Sequence, residues 1–217
     1  IELISEEYKY SISEAEKAVR NFMDDPDLLL GYISTSNHPS NFMVGKMTII
    51  DEGAFRIDTP SEWERPVYIF QQKEYINDRC EVYEYEVSVN TNQVIDIHVR
   101  YPEEIQDLLA GPEGLNASKC GSYGSMEVPL RPRSEIEAAA MDFLSRNVAD
   151  FEEIKPQILY TPSKPGAANP AANEWSWQDE EYEWPEGWSG DNPKARIIMT
   201  SGGKLISYYN NLSLFYE

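Results

Sequence analysis

One eight-residue pattern occurs twice in this chain and limits what it can fold into. Tyr68 to Tyr75 reads YIFQQKEY, and Trp175 to Tyr182 reads WSWQDEEY. Each run is aromatic, any residue, aromatic, Gln, two polar residues, Glu, Tyr. The first copy places Tyr68, Phe70, Gln71, Glu74 and Tyr75 where the second places Trp175, Trp177, Gln178, Glu181 and Tyr182. Aromatics two apart share one face of a strand, so each copy predicts a half-buried strand.

The context of the motif recurs as well. Ser13-Glu14-Ala15-Glu16 has the form of a capping box, and Ala15, Ala18, Val19, Phe22 and Met23 follow at helical spacing. Asp24-Asp25-Pro26 ends that pattern. Ser134-Glu135-Ile136-Glu137 repeats the box, and Ile136, Ala139, Ala140, Phe143 and Leu144 repeat the stripe. After the first motif, Tyr83, Tyr85, Val87 and Val89 alternate with Glu84, Glu86 and Ser88, which predicts a strand with one buried and one wet face. Asn90 to Gln93 turns the chain, and Val94, Ile95, Ile97 and Val99 return it as a hairpin. Ala195 to Thr200, the turn at Ser201-Gly202-Gly203-Lys204, and Leu205 to Tyr209 close the second half in the same way.

Less regular stretches carry weaker expectations. Leu28 to Ile33 and Lys155 to Tyr160 are expected as strands, and Glu103 to Leu109 as a short helix. Met43 to Ile50 and Ala54 to Ile57 are expected to pair around Asp51-Glu52-Gly53. Helix, motif strand and hairpin in the same order twice predict an α+β fold of two tandem units, each a helix packed on a small antiparallel β-sheet. The units span 8–105 and 132–217, joined by a connector over 106–131 that is rich in Gly, Ser and Asn.

The helix followed by a meander, with Tyr85-Glu86-Val87-Ser88-Val89, the Asn90 to Gln93 turn and Val94-Ile95, resembles the PepSY domain family. Ile197-Ile198-Met199, Ser201-Gly202-Gly203 and Leu205-Ile206 carry the resemblance in the second unit. It covers about two-thirds of the chain and rests on apolar and turn residues. The resemblance implies a non-catalytic binding or regulatory module of secreted or cell-surface proteins, of the kind found in propeptides of thermolysin-type metalloproteases. It carries no catalytic residues across. The sequence departs from the family in a long insertion before Tyr68 and in a Trp-rich loop after Tyr182.

Charge narrows the partners. The 217 residues hold 18 Lys and Arg against 38 Asp and Glu, a net charge of −20. That balance repels phosphate backbones and anionic lipid, so a protein partner or a cell-surface polymer is expected, not nucleic acid. No apolar run approaches the ~18 residues of a membrane span, so no membrane insertion is expected. The chain opens at Ile1 without Met, which fits a secreted or cell-surface protein whose signal peptide has been removed. Cys80 and Cys120 are too few for a disulfide scaffold and lack metal-ligand spacing. One disulfide in an oxidising compartment and two half-buried thiols both fit. Asn116-Ala-Ser and Asn211-Leu-Ser match the glycosylation tripeptide.

No catalytic motif is present. His38 and His98 are the only histidines, and HExxH, GxSxG, P-loop and GxGxxG patterns do not occur. The chain is therefore read as not an enzyme, with no cofactor and no metal. Asp24, Asp25 and Asp27, and Asp191-Asn192, offer oxygen ligands without EF-hand spacing. Glu74 and Glu181 would pair only if a twofold brought the motifs together; recurrence inside a duplication favours a local structural task for the motif residues. The candidate binding surface is the loop from Glu180 to Pro193, EEYEWPEGWSGDNP, with Trp184, Trp188, Glu183, Glu186 and Asp191. Trp beside carboxylates suits stacking on a sugar ring or gripping a cationic peptide. Rings that cap the sheet edge or pack between the units fit the same pattern. Carbohydrate or cell-wall binding through this loop is the alternative to a protein partner.

Overall fold

In a computed structural model the first helix, α1 (Ile12–Met23), is capped by Ser11 and not by Ser13. Glu14 N–H donates to Ser11 Oγ at 3.3 Å, and Ser11 N–H donates to Glu14 Oε2 at 2.8 Å. The earlier start adds Ile12 to the apolar stripe, where it packs beside buried Ala15 and Val19. Asp24, left-handed at φ 56, ends the helix, its N–H bonding back to Asn21 O. The second helix, α2 (Arg133–Asn147), begins after Pro132 with no side-chain cap, so Ser134 lies inside the first turn. Arg133 sets its guanidinium 3.6 Å from the centre of the Tyr160 ring, a contact that anchors this end in place of a cap. Its buried residues step by four, Ile136, Ala140 and Leu144, and Ala139 is exposed.

The structure describes residues 8–42, 44–51, 54–58, 64–76, 80–102, 105–106, 130–149, 151–163 and 172–215, with backbone alone for 46–51 and 54–58. Most of the 106–131 connector and Cys120 fall outside them, as does the helix expected over Glu103 to Leu109 except Ile105 and Gln106, which are helical and bond back to Pro102 O. After α1 come β1 (Leu30–Ser36), β2 (Val44–Asp51), β3 (Ala54–Asp58), β4 (Val67–Gln72), β5 (Val82–Ser88) and β6 (Val94–Arg100). After α2 come a short helix, α3 (Phe151–Ile154), then β7 (Leu159–Ser163), β8 (Ala172–Gln178), β9 (Trp188–Gly190), β10 (Lys194–Thr200) and β11 (Leu205–Asn210). The strand expected from Lys155 starts at Leu159, because Lys155–Gln157 winds into a 3-10 turn around Pro156. A proline has no N–H for a strand ladder.

Two sheets result. Eight strands pair in the order β1-β4-β5-β6-β11-β10-β8-β7, and three pair as β3-β2-β9. Every pairing is antiparallel. The large sheet is continuous through β6 and β11, where Tyr208 faces Ile97 and Tyr209 faces Asp96. Both main helices pack on one face of it. Phe22 of α1 and Phe143 of α2 meet edge to face, centroids 5.2 Å apart, and both pack edge to face on Tyr208 at 5.0 and 5.6 Å. Tyr68, Phe70, Tyr85, Val87, Ile97, Trp175 and Ile197 complete this core from the sheet.

The far face is covered too, which overturns the wet face expected for β5. Glu84, Glu86 and Ser88 are buried. The long insertion supplies β2 and β3, the Trp-rich loop supplies β9, and Val44, Gly45 and Lys46 pair with Gly190, Ser189 and Trp188. The insertion before Tyr68 and the Trp-rich loop thus meet each other. Between them and the large sheet lies a second apolar cluster of Phe42, Val44, Ile95, Tyr209 and Leu214. Ile95 reaches it through a shift of register between Glu86 and Val87, which leaves Ile95 as the extra residue between Val94 and Asp96.

Candidate functional site

The Trp-rich loop is tied into the fold. Trp184 and Trp188 are half-buried against the second apolar cluster. Trp184 packs edge to face on Tyr182 at 5.3 Å and on Phe215 at 5.7 Å, and its indole N–H donates to Asn192 Oδ1 at 2.9 Å. Trp184 is thus held edge to face in an aromatic group with Tyr182 and Phe215. Glu183 and Glu186 are exposed, and Asp191 is half-buried, 3.0 Å from Lys194 Nζ.

The repeated motifs diverge after their aromatics. Tyr68, Phe70 and Trp175 are buried on the helix-bearing face, and Trp177 packs against the same core. Gln71 is half-buried, Gln178, Glu74, Glu181 and Tyr75 are exposed, and Tyr182 is half-buried. β4 and β8 lie five strand steps apart in the large sheet. At ~4.8 Å per step that is about 24 Å, and five antiparallel steps send their ends in opposite directions. Glu74 and Glu181 therefore form no carboxylate pair.

The densest chemistry lies where sequence reasoning expected solvent. Glu84, Glu86, Asp96, His98 and Arg100 project from neighbouring β5 and β6, with Glu84 opposite His98 and Glu86 opposite Asp96. The loop before β2 closes over them. Ser40 N–H donates to Glu86 Oε2 at 2.8 Å, Ser40 Oγ also bonds Glu86, and Asn41 Nδ2 donates to Asp96. His98 Nε2 lies 3.2 Å from Glu84 Oε1 and its Nδ1 lies 3.5 Å from Asp96 Oδ1. Arg100 Nε is 2.7 Å from His98 Nε2 and 3.3 Å from Glu84 Oε1. Burial works against an imidazolium, but Asp96 and Glu84 outweigh it and push the His98 pKa up to about 9. Arg100 Nε donates to His98 Nε2 in the neutral imidazole; once that nitrogen is protonated it has no acceptor to offer, and both groups turn to Glu84 Oε1. Burial pushes the Glu86 carboxyl up, against the Ser40 hydrogen bonds and with the help of Asp96. A proton on Glu86 relieves the like charges set directly across the strands.

The cluster holds the loop before β2 to β5 and β6. Glu84 and Asp96 flank the imidazole and favour its protonated form, and no nucleophile is among its described partners. Among the described residues, no group of three or more His, Cys, Asp or Glu is arranged to hold a metal ion. His38 is half-buried in the same loop, its pKa pushed down by burial. The signal for the cluster was present in sequence as Asp96-Ile97-His98-Val99-Arg100, a charged alternation matching Glu84 and Glu86 on the preceding strand.

Three further features bear on function. Cys80 is disulfide-bonded and sits at φ 59. Asn211 is fully buried, its Oδ1 accepting from Lys194 N–H at 2.6 Å and its Nδ2 donating to Asn192 O at 3.3 Å, so this tripeptide is closed to glycosylation in the folded chain. Large apolar side chains surface at both edges of the large sheet: Leu29, Tyr32 and Ile33 at β1 are 51%, 42% and 54% exposed and Leu159 of β7 is 70% exposed, while Tyr75, after β4, is 50% exposed. No helix among the described residues is long and apolar enough to cross a membrane.

No protein-family model and no curated protein sequence matches the chain. Among solved structures it is similar to the Bacillus megaterium YpeB C-terminal domain, at 8% identity and a TM-score of 0.49. That likeness covers 96% of this chain and 66% of that one, and at this level it carries no argument about function.

Proposed function

We propose that this chain is a non-catalytic binding module that works outside the cytoplasm, built from two PepSY-like units in tandem, and that it regulates a protein partner such as a secreted peptidase. The observation that carries the reading is the run of exposed apolar side chains along the β1 edge, Leu29, Tyr32 and Ile33, on a chain of net charge −20. Contiguous exposed apolar surface marks interaction sites. Two observations support the rest. The disulfide at Cys80 suits an oxidising compartment. The strand order runs β1-β4-β5-β6 from one edge and β7-β8-β10-β11 from the other, each run following a helix, as a duplication would produce.

The test is capture from secreted and cell-wall fractions with the whole chain as bait, beside a Trp184→Ala/Trp188→Ala variant. The expected result is one protein retained by both baits, whose own activity changes when the chain is added back. Capture of glycan that the Trp variant loses would replace this reading with wall-polymer recognition. Retention of nothing would end both.

A further inference from the structure

We propose that β1 is the docking edge, and that it takes up an extended, basic segment of the partner as an added antiparallel or parallel strand; this rests on the protein-binding reading above. β1 is the last strand of the large sheet, bonded to β4 on one side, and no strand pairs with its other side among the described residues. A strand in that position offers a row of N–H and C=O groups to an incoming chain. Sheet edges are commonly guarded by charge or proline. The opposite edge strand, β7, carries Pro162, whereas β1, LGYISTS, carries neither a charge nor a proline.

The side chains of β1 fit an apolar strand partner. Tyr32 extends the core to the rim, packing edge to face on Tyr68 and Phe70 at 6.2 and 6.0 Å while 42% of it stays exposed. Ile33 sits in the register shift between Tyr32 and Ser34, without a Cα partner on β4, and is 54% exposed. The pairing runs on past Leu30, where Lys73 N–H donates to Leu29 O at 2.9 Å.

Charge selects the occupant. Among the described residues Asp24, Asp25 and Asp27 are exposed on the approach to β1 and Glu74 is exposed after β4, against Lys73 and against Arg20, whose charge is paired with Glu16. A second copy would bring the same acids and another −20 to the edge. A segment alternating apolar and basic residues satisfies both the ladder and the field.

The probes are three acetylated, amidated peptides mixed with the whole chain: VKVKVKV, GKGKGKG of equal charge and low strand propensity, and VEVEVEV. Amide hydrogen exchange is read by mass spectrometry, on the wild type and on Ile33→Lys, with circular dichroism confirming that the variant is folded. The expected result is that VKVKVKV alone slows exchange over residues 30–36, by about tenfold, and that Ile33→Lys abolishes the effect. Equal protection by GKGKGKG or VEVEVEV, protection elsewhere, or none, overturns the proposal. So does a dimer in sedimentation velocity that protects β1 without peptide. A captured partner that protects some other surface would leave the protein-binding reading standing and remove this one.

Discussion

At Asp96 a fully buried carboxylate accepts from Asn41 on one oxygen and faces the His98 cation 3.5 Å from the other. Removing it leaves the Asn41 amide without its acceptor and the His98 cation with Glu84 as its one remaining described carboxylate, and breaking such a buried pair typically costs about 3–5 kcal/mol. Asp96→Ala is therefore expected to lose about 3 kcal/mol in urea unfolding. The pH dependence follows from the two shifted groups. His98 binds its proton more tightly folded than unfolded, about 9 against 6.5. Its stabilisation is fully present below the unfolded value and is lost as pH rises through about 9. Glu86 is also raised, so the proton it holds stabilises at low pH and its contribution likewise falls as pH rises. Unfolding midpoints are expected to decline steadily from mildly acidic to alkaline pH. His98→Gln should flatten the fall between 6.5 and about 9, by on the order of 2 kcal/mol. An unchanged slope in that variant would show that His98 is not held as a cation. None of this was legible in β5 itself, since Glu84 and Glu86 alternating with Tyr83, Tyr85 and Val87 is the pattern of any strand with one wet face. What covers a face is set by a segment more than forty positions away, at Ser40 and Asn41.

The elements were legible where their signal is local. The stripe on α1, the pairing of β2 with β3, and the β5–β6 and β10–β11 hairpins follow from periodicity and turn residues over a few positions. Caps were misread because Ser11 and Ser13 both suit an S-x-x-E box, and packing of Ile12 decides between them. Ser11→Ala is accordingly expected to cost about 1 kcal/mol, and Ser13→Ala a few tenths at most, by thermal unfolding. Equal losses would return the cap to Ser13. The small sheet joins two segments that nothing in either sequence links, so its third strand, β9, was not foreseen. Because Trp184 and Trp188 fasten that sheet to Phe42, Val44, Leu214 and Phe215, the Trp184→Ala/Trp188→Ala chain is expected to lose about 3 kcal/mol in chemical denaturation. A double variant as stable as the wild type would return both rings to a binding role.

For the whole molecule the decisive feature is the join at β6 and β11. The repeated sequence pattern predicts two units, and nothing in it says whether their sheets stay apart. The structure runs the ladder straight through, with Ser207, Tyr208 and Tyr209 opposite His98, Ile97 and Asp96. The join is secured on both faces. Phe22, Phe143 and Tyr208 lock the two helices together above it, Tyr209 and Ile95 share the second apolar cluster below it, and Tyr83 donates across it to Leu205 O at 2.7 Å. Separating 8–105 from 132–217 would expose Ile95, Ile97, Tyr208 and Tyr209, all buried in the intact chain, along two unpaired strand edges. Such edges invite aggregation, and each half alone has a small core to offset its chain entropy. The fragments are therefore expected to be unfolded or aggregated when made separately, and to recover the far-ultraviolet circular dichroism and the cooperative unfolding of the whole chain when made together. If either fragment folds cooperatively as a soluble monomer, the units are independent domains that touch. If neither does until both are present, the duplicated pattern marks two halves of one folding unit, and the shared sheet is what makes them fold.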